Sequence, residues 1–178
     1  MIIRETIDDD REEIFRVERD AFGHEKEALL TMDLLDDPTA KSILSLLALD
    51  EGKAVGHILF TDAKLSTEGD KLKMSIMGPV AVIPEYQRKG VGGEMIQKGL
   101  EMLKNRGVDL VFVLGHIPYY PRFGFIPALD KGFDPPHPIH DKVRDAWMVQ
   151  ELRPGVIDSF SGKVCCCTAF DHPEHWRE

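Results

Sequence analysis

The sequence predicts an α/β fold, a mixed and mostly antiparallel twisted sheet of about seven strands flanked by helices. Three observations carry that reading. The stretch 78–107 (GPVAVIPEYQRKGVGGEMIQKGLEMLKNRG) reads as a strand, a glycine-bearing turn and an amphipathic helix. Residues 110–114 (LVFVL) form a continuous apolar run, as suits a strand covered on both faces. The order of elements, β-α-α-β-β-β-α-β-β-β, requires helices on both sides of the sheet.

Each element has its own signal. Ile2 to Glu5 is a short first strand, and Asp8, Asp9 and Asp10 offer an N-cap and an acidic first turn to a helix. Ile14, Val17 and Ala21 fall on one face of that helix. A second helix is expected over 25–35, with Ala28, Leu29, Met32 and Leu35 inward, ending before Pro38. Strands at 43–49 and 54–60 are joined by Glu51-Gly52-Lys53, a hairpin-length link containing glycine. The polar stretch 61–70 is expected to be a loop, and 72–77 leads into the central strand.

In that strand Val80 and Val82 alternate with Ala81, while Pro79, lacking an N–H, belongs at a strand end or a bulge. From Gly90 onward Val91, Met95, Ile96, Gly99, Leu100 and Leu103 recur at helical spacing. Lys104 and Arg106 lie in the last turn, and Gly107 is placed for a left-handed cap. Residues 127–140 read as loop, and 146–152 and 163–170 as two late strands around a Pro154-Gly155 turn.

A chain of 178 residues with 43% hydrophobic and 30% charged residues suits one soluble domain with a sizeable core. The net charge of −9 argues against nucleic acid and would suit a cationic small molecule, though solubility explains it equally well. No apolar run approaches the ~20 residues of a membrane helix. Acidic residues follow the N-terminus where a signal peptide would place an apolar core. Three cysteines, all adjacent, form no disulfide framework, and a cytoplasmic location is expected.

The chemistry concentrates in the turn after the central strand. The first-turn N–H groups of a helix and its positive dipole end attract anions, and glycine lets a phosphate approach the backbone. Arg88 and Lys89 add charge. The spacing fits neither the phosphate loop of NTPases nor the dinucleotide fingerprint. An ordinary glycine-rich turn with solvated basic residues is the plain alternative.

These residues support a family resemblance. Val80-Ala81-Val82-x-Pro84-x-x-Gln87-Arg88-Lys89-Gly90-Val91-Gly92 resembles the acyl-CoA signature of the GNAT superfamily of N-acetyltransferases. Tyr119-Tyr120-Pro121-Arg122-Phe123-Gly124-Phe125 is similar to that family's Tyr-x-x-x-Gly-Phe element. Two N-terminal helices followed by the Gly56-His57-Ile58 strand fit as well, and the tail from Ile126 looks like a small prokaryotic-type subfamily.

The resemblance implies an acyl-CoA-binding core at 1–125 and C-terminal strands over 126–178 that complete the sheet of a single domain, 1–178. It implies acetyl-CoA as the acyl donor, no metal, and transfer of acetyl to a primary amine by direct attack. The pantetheine arm would bond the backbone of Val80, Ala81 and Val82. The pyrophosphate would fall on Gln87, Arg88, Lys89, Gly90, Val91, Gly92 and Gly93.

Tyr120 matches the tyrosine that protonates the departing thiolate, with Tyr119 a rival by proximity. Many members carry Asn at the end of the preceding strand, where this chain has Gly115-His116; His116 can supply a hydrogen bond to the cofactor. His24, Glu25, His57 and Glu85 are open candidates for a general base. A small amine or a peptide amine remains open as acceptor, and dimerisation, common in the family, leaves a homodimer open.

A non-catalytic acyl-CoA-binding or regulatory domain of the same fold is the rival reading, and an unrelated phosphate-binding α/β protein a third. The pairs His137/His140 and His172/His175 read as loop histidines beside prolines rather than metal ligands. Cys165, Cys166 and Cys167 read as buried structural thiols.

Overall fold

The computed structural model describes residues 1–177, and of Asp70 the backbone alone. Its elements are β1 (Ile2–Glu5), α1 (Arg11–Phe22), α2 (Lys26–Asp36), β2 (Leu44–Asp50), β3 (Lys53–Leu65), β4 (Gly69–Val82) and α3 (Val91–Asn105). β5 (Leu110–Leu114), β6 (Ile126–Pro127), β7 (Phe133–Asp134), β8 (Trp147–Glu151), α4 (Val156–Ser159) and β9 (Gly162–Cys166) follow. The main sheet runs β1-β2-β3-β4-β5-β8-β6, with β9 against β3 and β7 against β9. Within the main sheet β4 and β5 pair in parallel and the other neighbours antiparallel. The mixed, mostly antiparallel sheet flanked by helices is as the sequence predicts.

α1 exists because Ile14 and Val17 bury one stripe, and it stops where Gly23 takes φ +77° and donates its N–H to Arg19 O. Asp10 does not cap it. Its carboxylate accepts instead from the Arg4 guanidinium and the Ile7 N–H. Glu18, on the same inward stripe, is fully buried.

α3 lies on the other side of the sheet from α1 and is held close by glycine. A Cβ on Gly99 would stand 2.4 Å from the Phe60 ring, and one on Gly56 would meet Met95 at 2.9 Å. His57, next along β3, points the opposite way and bonds Glu18 of α1.

Two expectations are corrected. Residues 61–70 are not a loop: Thr61-Asp62-Ala63-Lys64-Leu65 continues β3, with Ala63 and Leu65 buried, and the turn is confined to 66–68. That alternation is the strand period, hidden by its polar half. The expected late strand 163–170 ends at Cys166 and gives way to a 3-10 turn, Thr168–Phe170, while α4 occupies part of the link after Gly155.

The sheet opens where it matters. β4 and β5 pair through Met74, Ser75 and Ile76 against Leu110, Val111 and Phe112, and no pairing is seen beyond Ile76 among the described residues. The β3–β4 register shifts between Ile58/Val80 and Phe60/Met77, which places Gly78 and Pro79 in a bulge. Val80, Ala81 and Val82 bond β3 on one edge and leave the edge toward β5 unpaired.

Candidate active site

The N-terminus of α3 opens into a groove of about 920 Å³. Gly90 precedes it at φ +86° and accepts from Glu94, so the N–H groups of Val91, Gly92 and Gly93 have no helical partner. No atom lies within 4 Å of where a Gly90 Cβ would stand. A Cβ on Gly92 would come 2.8 Å from Tyr119 Oη, and one on Gly93 3.1 Å from the Phe123 ring. The glycines therefore leave the mouth of the helix bare and let the aromatic wall approach it. Val82, Gln87, Arg88 and His116 also line the groove. Gln87 Nε2 donates to Val82 O at 2.9 Å, fixing the turn onto the end of β4.

Not every residue singled out lies on that groove. Ala81 is buried, so what it offers is backbone. Lys89 leans over the Tyr86 ring at 5.2 Å and is not part of the lining. Val80 lines two further cavities, one of about 210 Å³ and one of about 290 Å³. The smaller shares Val82, Gln87, Gly92 and Tyr119 with the groove, and Phe22, Val80 and Tyr120 with the other. The shared lining links the three in series, the last of them reaching the gap between β4 and β5.

The two tyrosines separate along this series. Tyr119 stands beside the helix mouth, where burial raises its pKa above that of an ordinary phenol against the opposing pull of Arg122. Tyr120 stands at the junction of the two smaller cavities. The backbone holds both, because His116 O accepts from Tyr119 N at 3.0 Å and Tyr120 N at 3.4 Å.

Gly124, at φ +96°, ends the 3-10 turn Tyr120–Phe123 and drops Phe125 into the core, where its ring meets that of Tyr120 edge-on at 6.0 Å. A Cβ on Gly115 would stand 2.6 Å from the Tyr120 ring. Gly115 thus seats the tyrosine.

Among the base candidates, His57 is excluded from direct contact with a ligand. It has 0% exposure, with Nδ1 2.6 Å from Glu18 Oε1 and Nε2 2.8 Å from Ser45 Oγ. Glu25 and Glu85 are exposed and line none of the three cavities. His24 Nδ1 lies 3.1 Å from Oε2 of Glu27.

Glu27 itself lines the 290 Å³ cavity, with Phe22, Phe170, His175 and Trp176. Sequence reasoning missed this group. For Glu27 the signal was its place beside Ala28 and Thr31 on the buried stripe of α2; for the C-terminal aromatics, in short 3-10 turns, there was none.

The remaining side chains do other work. His137 Nε2 pairs with Asp171 Oδ1 at 2.7 Å, and the rings of His172 and His175 meet edge-on at 5.9 Å. The cysteines correct the expectation in part: Cys167 is buried, Cys166 intermediate and Cys165 exposed. Burial pushes the thiols of Cys166 and Cys167 up to about 12 and about 11, far from a thiolate nucleophile at neutral pH. No helix among the described residues is long and apolar enough to cross a membrane.

Known proteins give this architecture a family. A model of the "Acetyltransferase (GNAT) domain" matches residues 2–128. The chain is 54% identical over 144 residues to the uncharacterized N-acetyltransferase YjhQ of Escherichia coli K12, covering 80% of each. It is 33% identical over 126 residues to YhbS of the same organism, covering 70% of this chain and 73% of that one.

The crystal structure of E. coli YhbS in complex with CoA superposes with a TM-score of 0.84, at 27% identity and 96% and 92% coverage. A GNAT acetyltransferase from Brucella melitensis in complex with acetyl-CoA gives 0.73, at 28% identity and 96% and 97% coverage. The chain belongs to the GNAT family and is an acyltransferase of that fold.

Proposed function

We propose that this protein transfers the acetyl group of acetyl-CoA to a primary amine by direct attack, with Tyr120 as the general acid. The observation that carries the reading is the series of three cavities, which leads from the bare N-terminus of α3 to the Tyr120 ring.

The residues present fit a pyrophosphate and an extended arm. Free N–H groups at Val91, Gly92 and Gly93, with Arg88 beside them, suit the former. The unpaired edge of Val80, Ala81 and Val82 suits the latter, bonded as an added strand. His116 lies on the groove as a further donor. The relatives crystallised with CoA and acetyl-CoA support the same ligand here.

When bound, acetyl-CoA supplies an electrophilic thioester. The ammonium of the acceptor first gives up one proton. Its nitrogen then bonds the carbonyl carbon and gives up its second proton to solvent, the carbon–sulfur bond breaks, and the electron pair leaves on sulfur. Tyr120 hands its phenolic proton to that thiolate and is reprotonated from solvent. Backbone N–H groups on the free edge of β4 steady the negative charge that gathers on the carbonyl oxygen. We read residues 1–178 as one catalytic unit, because β6 and β8 extend the sheet beside β5.

Calorimetric titration with acetyl-CoA, with ATP and NAD as controls, tests the reading. Selective binding, followed by thiol release on adding amines, is the expected result. A folded protein that shows no preference for acetyl-CoA would overturn it.

A further inference from the structure

The cavity beyond Tyr120 has a chemistry of its own. It measures about 290 Å³, at the lower end of the roughly 300–1,000 Å³ typical of small-molecule sites. Phe22, Tyr120, Phe170 and Trp176 give it an aromatic lining. Among the described residues Glu27 is its one carboxylate, and neither lysine nor arginine lines it. His175 completes the wall, and burial lowers its pKa below the ordinary imidazole value, favouring the neutral ring.

Glu27 is poised for a cation. Its Oε2 is sealed from water and accepts no hydrogen bond, its ionisable neighbour being the exposed His24 imidazole at 3.1 Å, while 26% of its side-chain surface remains accessible. A part-buried carboxylate with an oxygen that accepts no hydrogen bond gains from an ammonium brought into the cavity.

Resting on the acetyltransfer reading above, we infer that this cavity receives the acceptor, a compact monoamine with an apolar or aromatic body, its ammonium directed to Glu27. The wall excludes other acceptors. An amino acid would bring a carboxylate into a cavity without a basic partner. A polyamine would bring several charges to one carboxylate. A peptide N-terminus would need a longer groove, whereas Phe170, His175 and Trp176 of the C-terminal segment wall this one. That segment lies beyond residues 2–128, the part matched by the family model, so one wall of the acceptor cavity is built outside the matched core while Glu27 and Phe22 belong to it.

The test uses the full chain and four probes, phenethylamine, phenylalanine, spermidine and an alanine-initiated tetrapeptide, followed by thiol release from acetyl-CoA. Phenethylamine is expected to show kcat/KM at least tenfold above the other three. In Glu27→Gln its KM rises at least tenfold, its calorimetric binding to the CoA-loaded protein weakens alike, and the acetyl-CoA Kd stays within twofold. Phe22→Ala, at an exposed position, is expected to lower kcat/KM for phenethylamine but not for propylamine.

Preference for phenylalanine, spermidine or the peptide would overturn the inference. So would an unchanged KM in Glu27→Gln, or acetyl-CoA binding without turnover of phenethylamine. Loss of acetyl-CoA binding in the unmodified protein would instead overturn the acetyltransfer reading itself.

Discussion

His57 Nδ1 and Glu18 Oε1 lie 2.6 Å apart in a fully buried pair that joins β3 to α1, with Ser45 closing the other side of the imidazole. Desolvation raises the Glu18 pKa, opposed by the bond to His57. The pair is structural. Removing one partner strands the other polar group in the core, so Glu18→Ala is expected to lose about 3–5 kcal/mol in urea unfolding. The pH profile of kcat is expected to keep its shape in any His57 variant that still folds. A variant as stable as the parent would show that the pair is dispensable.

Tyr120 and Tyr119 are separable by mutation because they stand at different points of the cavity series. Tyr120→Phe is expected to lower kcat by ~100-fold or more while the acetyl-CoA Kd holds, as for loss of a general acid. Tyr119→Phe is expected to affect acetyl-CoA binding more than kcat. Steady-state kinetics beside calorimetry would decide, and an unchanged kcat in Tyr120→Phe removes the assigned role.

Gly92 faces both the groove and Tyr119 Oη. Gly92→Glu would set a carboxylate where the pyrophosphate is expected and press on the tyrosine. Affinity for acetyl-CoA is expected to fall by more than ~100-fold, about 2.7 kcal/mol or more. Retained affinity would move the phosphate site elsewhere.

Asp10 gives a pH signature. Its bond from Arg4, reinforced by the Ile7 N–H, holds its pKa below the ordinary carboxylate value. A carboxyl with a lowered folded pKa contributes stability above its unfolded value and loses it as pH falls through the folded one. Asp10→Asn is therefore expected to cost ~1–2 kcal/mol at pH 7 and less at pH 2. Urea midpoints at the two pH values would check it, and an equal loss at both would contradict the assignment.

What the sequence made legible follows from locality. The strand-turn-helix at 78–107 is specified by neighbours in the chain, and so is the Tyr120–Phe125 element, whose glycine both ends the turn and aims Phe125 at the tyrosine ring. Glu27 required the phase of α2, which a one-residue error in its start obscures when Glu25 is also at hand. Phe170, His175 and Trp176 reach the cavity from about 145 residues beyond Glu27 through aperiodic turns, so no window of sequence contains that contact. The end of β3 was misread for a different reason: Asp62 and Lys64 are the solvent half of a strand, and polarity alone concealed the alternation.

The gap between β4 and β5 bears on the order of events in turnover. The groove at α3 and the cavity at Glu27 share no lining residue, so the donor's pyrophosphate and the acceptor have separate seats that meet at Val80 and Tyr120. Donor and acceptor can then occupy the protein together, and no acetylated enzyme has to store the group between visits. Double-reciprocal plots at several fixed acceptor concentrations would cross; a parallel family would mean that the protein itself carries the acetyl group.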